Sequence, residues 1–256
     1  MFDIILIVLI IILYIKMIYF ITFGTTHNYA ESLVRIKMQA EYSGFFDKII
    51  IYTEKDFDQT FLDSYSDLMK NNTGYGFWIW KSYFVKKTFD KMNDGDILVY
   101  ADAGCSIVKN LESYKKFKIY INLVKQHESG SLAFQMCFPE ETYTKSKTFI
   151  EFDLNNDEYR KSGQLVGTIF FLRKCPNTIK LVDEFYNYST NVEIINNEFN
   201  KIEEIPTFIA HRNDQSIFSL LRKKHKSLLI SDTTWYPNFN TPAALSNPIL
   251  ATRIRR

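Results

Sequence analysis

The sequence predicts an α/β chain with a mostly parallel central sheet flanked by helices. Two observations carry that reading. From residue 17 onward, apolar β-prone runs alternate with segments of helical spacing. This strand–helix–strand–helix–strand order implies parallel pairing through right-handed crossovers. The runs also lack in–out alternation: residues 48–52 read KIIIY and 96–100 read DILVY, as expected of strands covered on both faces.

Taken in order, residues 18–23 form a first apolar strand that stops at Gly24. Asn28 is placed to cap a helix in which Ala30, Leu33, Val34 and Met38 recur at helical spacing, and Ser43-Gly44 ends it. The second strand, 48–52, is followed by a polar helical stretch over 57–69. Residues 78–92 read as a helix with Trp80, Phe84 and Thr88 on one face, and Gly95 turns the chain into the third strand, which ends at Asp102. Residues 131–138 (SLAFQMCF) and 165–172 (LVGTIFFL) predict two further strands, and 178–188 and 214–224 two further helices.

Composition sets the limits. Apolar residues make up 46% and charged residues 23%, ordinary globular usage that argues against disorder. The length suits one large α/β domain, assigned to residues 17–240 and followed by a C-terminal tail at 241–256. Net charge is +2 with dispersed basic residues, which gives no footprint for nucleic acid. Cys105, Cys137 and Cys175 show no CxxC spacing, which argues against a zinc site or a disulfide framework. Residues 1–16 form a hydrophobic N-terminal segment. Its run at 2–15 is shorter than the roughly 20 apolar residues a spanning helix needs, and reads as a short anchor or interfacial helix. A membrane-associated protein is the expectation; a cytoplasmic protein with a greasy extension is the alternative.

Candidate site residues follow from the strand ends, because ligands of open parallel sheets bind beyond them. After the first strand, Gly24-Thr25-Thr26 offers a turn where backbone amides can approach a ligand; after the second come Thr53 and Glu54. After the third, Asp102 can ligate a cation, accept from a ribose, or simply cap a turn. The run Gly74-Tyr75-Gly76-Phe77-Trp78-Ile79-Trp80-Lys81 combines two glycines with aromatic rings and a cation. It reads either as a stacking surface with Lys81 beside a diphosphate, or as a turn leading into a buried helix face. His211 to Ser216 precedes an apolar helix whose start attracts anions, with Asp214 and Gln215 in place there unless Asp214 is only a cap. Thr142 to Lys145 adds hydroxyls and an amine.

Together these segments resemble the GT-A glycosyltransferases, whose fold is Rossmann-like. They are similar in particular to sugar transferases of bacteria and large DNA viruses with GYGxWxWK, YADAG and HRxDQS blocks. Here those blocks are Gly74–Lys81, Tyr100–Gly104 and His211–Ser216, and the similarity runs from about Met17 to Pro237. The resemblance implies a nucleotide-sugar donor and a glycan, lipid or protein acceptor. It implies donor contacts at Gly24, Thr25, Thr53, Lys81, Tyr100, Asp102 and Gly104, with Lys145 a second candidate for the diphosphate. Asp214 and Gln215 would lie at the anomeric carbon. Trp78, Trp80, Lys145, Gln164, Gly167 and His211 would line the sugar and acceptor side. It also implies a manganese or magnesium ion on a DxD motif; Asp102 takes the first acidic position, while the second is Gly104. The rival to a transferase is a non-catalytic sugar- or nucleotide-binding protein on the same fold.

Overall fold

The computed structural model describes residues 16–255. The expected anchor at 2–15 lies outside the described residues, among which no helix is long and apolar enough to cross a membrane.

A seven-stranded mixed sheet forms the centre. Strands β1 (Ile18–Phe23), β2 (Lys48–Tyr52) and β3 (Ile97–Ala101) pair in parallel with β1 in the middle. Beyond β3 lies β7 (Ile169–Arg173), antiparallel to it, and then β5 (Ser131–Pro139), antiparallel to β7. Strand β5 also pairs with β6 (Gly163–Leu165), antiparallel, and with β8 (Leu228–Ser231), parallel. Thus β1, β2, β3, β5 and β8 share one direction, and only β6 and β7 oppose it.

The first three strands lie where the sequence reading puts them, but β2 is not covered on both faces: it is the edge strand, and its residues before Tyr52 are exposed or half-buried. The run at 165–172 does not form one strand. It breaks at Val166-Gly167-Thr168, where hydrogen bonds leave the sheet plane for a helix. Arg222 donates to the Val166 carbonyl (2.8 Å), the Leu165 amide donates to Ser219 Oγ (2.7 Å), and the Gly167 amide donates to Gln215 Oε1 (3.0 Å).

Helices cover both faces, as the unalternating strands require. On one face α1 (Thr26–Ser43) and α4 (Leu111–Gln126) enclose Phe20, Val99, Phe134, Ile169 and Phe171. Helices α2 (Gln59–Met69), α3 (Ile79–Lys91), α5 (Pro176–Ser189) and α6 (Asn213–Lys224) enclose Ile21, Phe23, Leu98, Tyr100 and Phe170 on the other. Helix α1 starts two residues before the expected Asn28 cap. Its first turn is served from outside, where the Glu54 carboxylate accepts from the Thr26 amide (2.8 Å) and hydroxyl. Its end is as read, with Gly44 in the left-handed region at φ 66°.

Past residue 240 the chain packs back on the domain: β9 (Ile249–Leu250) pairs antiparallel with β4 (Ser106–Ile107), and Ile249, Leu250 and Ala251 are buried. The Ile254 amide donates to the Gly104 carbonyl (2.9 Å), and the Ile254 carbonyl accepts from Ser32 and Arg35. Apolar Ile249, Leu250 and Ala251 attach the segment by burial, and the polar and basic residues after them attach it through backbone groups.

Candidate active site

Beyond the carboxyl ends of β1 and β3, the chain brings together residues from three distant segments. Tyr100, the fourth residue of β3, is buried and stacks on Phe170 (4.8 Å between centroids). Its hydroxyl donates to Asp102 Oδ1 at 2.5 Å. The Asp102 amide continues the ladder to the Thr168 carbonyl (3.0 Å), so the carboxylate has a fixed base.

Lys81 arrives in the first turn of α3, and an unusual backbone aims it. Gly74, Tyr75, Gly76, Phe77 and Trp78 all lie at positive φ (58°, 55°, 82°, 55° and 62°), so the chain winds one left-handed turn before α3. Each non-glycine residue held this way costs about 1–2 kcal/mol. Contacts offset that cost: Phe77 and Trp78 donate to the Thr73 and Gly74 carbonyls (2.7 and 3.2 Å), and the Trp80 indole donates to the Gly74 carbonyl (2.9 Å). Tyr75 stacks on Phe23, and Gly76 is pressed against Leu68 and Met69, so that a Cβ there would stand 3.0–3.1 Å from them.

The Lys81 ammonium is enclosed, with 4% of the side chain exposed. It stands 2.7 Å from Asp214 Oδ2, 3.4 Å from Asp102 Oδ1 and 3.2 Å from the Gly167 carbonyl. Burial alone would lower its pKa, but the two carboxylates outweigh burial and raise it, so it stays charged. Asp214 meets it off the hydrogen-bond direction, so that pairing is ionic rather than directional. Burial pushes the Asp214 carboxyl above the usual carboxylate range, and Lys81 opposes the shift. Asp214 is not the cap of α6; Arg212 holds that place and Asp214 lies in the first turn.

Gln215, half-buried, ties this centre to its neighbours. Its Oε1 accepts from the Gly167 amide and its Nε2 donates to Gln164 Oε1 (2.7 Å), which also accepts from Arg212 (3.1 Å). Gly167 has no space for a side chain, since a Cβ there would stand 2.9 Å from the Cβ of Gln215. Lys81, Tyr100, Asp102, Gln164, Gly167, Asp214 and Gln215 therefore form one connected group. Asp102, with 36% of its side chain exposed, is its carboxylate open to solvent.

Other expected residues lie elsewhere or act otherwise. Lys81 is not positioned as an open partner for a diphosphate, because both carboxylates enclose it. Lys145 is buried away from the group: its ammonium donates to the Glu193, Asn196 and Glu198 carbonyls and to Asn196 Oδ1. His211 is buried too, accepting at Nδ1 from the Lys145 amide and donating from Nε2 to the Ile194 carbonyl. Trp80 is a core ring packed 4.3 Å from Phe23, and Trp78 lies over Gly74. Thr53 caps the short 3₁₀ turn Glu54–Asp56. Gly24 and Thr25 remain at the end of β1, level with the Asp102 loop, and the Gly24 amide is spent on the Tyr52 carbonyl (3.2 Å). Sequence reasoning did not single out Arg212, whose guanidinium lies 3.5 Å from the Tyr143 ring centroid. Its place in the HRNDQS block was the available signal.

The residues present fit a divalent ion poorly. Among the described residues no three His, Cys, Asp or Glu side chains converge as a ligand set. Asp102 Oδ1 already receives Tyr100, and the gap between Asp102 and Asp214 holds an ammonium.

No protein-family model and no curated protein matches the chain. Among solved structures it is similar to a glycosyltransferase involved in the glycosylation of the major capsid of PBCV-1. That likeness has a TM-score of 0.49 and 9% identity over 92% of this chain and 93% of the other. It is also similar to mouse xyloside xylosyltransferase 1, with a TM-score of 0.41 and 13% identity over 85% and 86% of the two chains. A third likeness is to the galactosyltransferase LgtC in complex with donor and acceptor sugar analogs (TM-score 0.44, 11% identity, 92% and 84% covered). Scores and identities this low assign no function, which rests on the residues themselves.

Proposed function

We propose that the chain is a glycosyltransferase that moves a sugar from a nucleotide-sugar donor to a glycan, lipid or protein acceptor. One observation carries the reading: the three sequence blocks, far apart in the chain, meet in a single group joined by ion pairs and hydrogen bonds at the carboxyl ends of parallel strands. That is where an open α/β sheet takes its ligand.

The donor's nucleotide lies against the Gly24-Thr25 turn and the end of β2, beside the exposed ring of Tyr75. The outer oxygen of Asp102 accepts from a donor hydroxyl, while Tyr100 and Lys81 hold its other oxygen. Gln215 stands at the sugar, and Asp214, enclosed behind Lys81, positions both the ammonium and the first turn of α6. In the transfer an acceptor oxygen bonds to the anomeric carbon as that carbon's bond to the terminal phosphate oxygen breaks. The electron pair leaves with the phosphate, and the acceptor proton passes to a site carboxylate or to solvent. Attachment to a membrane, where a lipid-linked acceptor would be met, belongs to residues 2–15; deleting 1–15 should abolish co-sedimentation with vesicles, and an unchanged pellet would refute it.

Nucleotide release from a panel of nucleotide sugars, with acceptors varied, tests the function. Release from one donor that Asp102→Ala abolishes is the expected result. Donor binding with no release from any donor would overturn the transferase reading in favour of a sugar-binding protein.

A further inference from the structure

The group around Lys81 has the make-up of a cation site that is already filled. Its ammonium meets three oxygens: it makes ionic contacts with Asp102 and Asp214 and a hydrogen bond to the Gly167 carbonyl, at 3.4, 2.7 and 3.2 Å. The rings of Tyr100 and Trp80 lie 5.3 and 5.8 Å away and close the remaining sides. Two carboxylates and a carbonyl are hard oxygen donors, the set that magnesium or manganese takes. A divalent ion would need oxygens at about 2.0–2.6 Å, six or more in number. It cannot enter between these two carboxylates without expelling Lys81, whose side chain has no open path and is fixed by the left-handed turn behind it.

A second, independent observation concerns position 104. A carboxylate there would complete a two-acid motif with Asp102. The end of the chain instead packs against this position: a Cβ on Gly104 would stand 3.3 Å from the Arg253 Cα and 3.4 Å from the Ile254 carbonyl oxygen, a tight fit. The Gly104 carbonyl is engaged by the Ile254 amide and by Thr252 Oγ1 (3.0 Å). The loop therefore faces the backbone of a segment bearing Arg253, where a metal-binding loop would place a second acid.

We propose that Lys81 is a built-in substitute for a divalent cation, so that Asp102 and Asp214 take up no magnesium or manganese and the substrate is bound without metal. The proposal rests on the transferase reading for the identity of the substrate, but not for the exclusion of metal. Charge compensation of Asp102 and Asp214 comes from inside the protein. Asp102 then meets the donor as a hydrogen-bond acceptor, not as a metal ligand. Lys81 acts through the two carboxylates, so it is a positioning residue.

The test is a titration of the full chain with manganese alone, followed by electron paramagnetic resonance. Wild type should leave the ion in its aqueous spectrum. Lys81→Ala, which bares both carboxylates, should gain one bound ion at least about tenfold more tightly than wild type, and Asp102→Asn in that background should remove it. One ion bound by wild type and lost in Asp102→Asn overturns the proposal, as does a folded Lys81→Ala that gains none. If Lys81→Ala does not fold, the wild-type and Asp102→Asn titrations decide, and nucleoside diphosphate binding that persists in EDTA is the supporting result. Failure of every donor to turn over would sink the transferase reading and leave the manganese titration equally decisive about Lys81.

Discussion

His211 supplies a prediction that can be worked from the geometry. Its Nδ1 accepts from the Lys145 amide (3.4 Å) and its Nε2 donates to the Ile194 carbonyl (3.0 Å), which fixes the neutral tautomer. A second proton would have to sit on Nδ1, facing an N–H. Burial, and then the Lys145 ammonium, push the pKa down from 6.5 to about 3. The folded imidazole therefore stays neutral where the unfolded chain takes up a proton, so the unfolded state binds more protons and stability falls as pH drops. The loss begins near the unfolded value and grows by about 1.4 kcal/mol per pH unit, reaching about 2 kcal/mol between about pH 7 and about pH 5. Urea unfolding of wild type and His211→Asn across that range isolates it, because every other titrating group contributes to both proteins. The variant starts less stable but should lose about 2 kcal/mol less on acidification. Equal losses in the two proteins would refute the reasoning and place His211 where it titrates normally.

Three further perturbations follow from the site. Asp214→Ala leaves a buried ammonium with Asp102 as its remaining acid, and should cost about 3 kcal/mol or more in urea unfolding; a change below about 1 kcal/mol would show that the pair is exposed. Tyr100→Phe removes the hydroxyl on Asp102 and should lower nucleotide release about tenfold or more while costing about 1 kcal/mol of stability; unchanged release would mean that Asp102 needs no such fixing. Gly76→Ala, at φ 82° with Leu68 and Met69 in the way of a Cβ, should destabilise by about 2 kcal/mol or more and lower release, read by thermal unfolding and the donor assay; wild-type behaviour would show that the left-handed turn is relaxed.

Much of the frame was legible because local pattern and final environment agree. ILVYA is a fully buried central strand, while KIIIY lies at the sheet edge and is half-buried; the uniform apolar run marks a strand in both without telling centre from edge. Residues 165–172 misled for the same reason: an unalternating run does not show where a strand breaks, and the break at Gly167 is set by Ser219, Gln215 and Arg222 far along the chain. Asp102, Lys81 and Asp214 were each marked by their blocks. That they are one object follows only from the crossovers that bring α3 and α6 to the end of β3. Lys145 and His211 resembled site residues because an amine and an imidazole carry the same letters whether they meet a ligand or a backbone carbonyl. Their burial depends on the segment Val192–Glu198, which shows no pattern of its own.

The junction at Arg35 bears on the order of events during synthesis. One guanidinium from α1 donates to the Ala103 carbonyl (3.0 Å), the Cys105 carbonyl (2.8 Å) and the Ile254 carbonyl (3.3 Å). A helix made early, the loop that follows Asp102 and a residue made more than two hundred positions later are thus fastened at one point. The sheet's parallel half can assemble as soon as β3 emerges from the ribosome. The wall beside Asp102 cannot, because residue 254 has yet to be translated. A nascent chain therefore carries the parallel strands well before it carries the finished wall beside Asp102, which is completed only after translation has passed that residue.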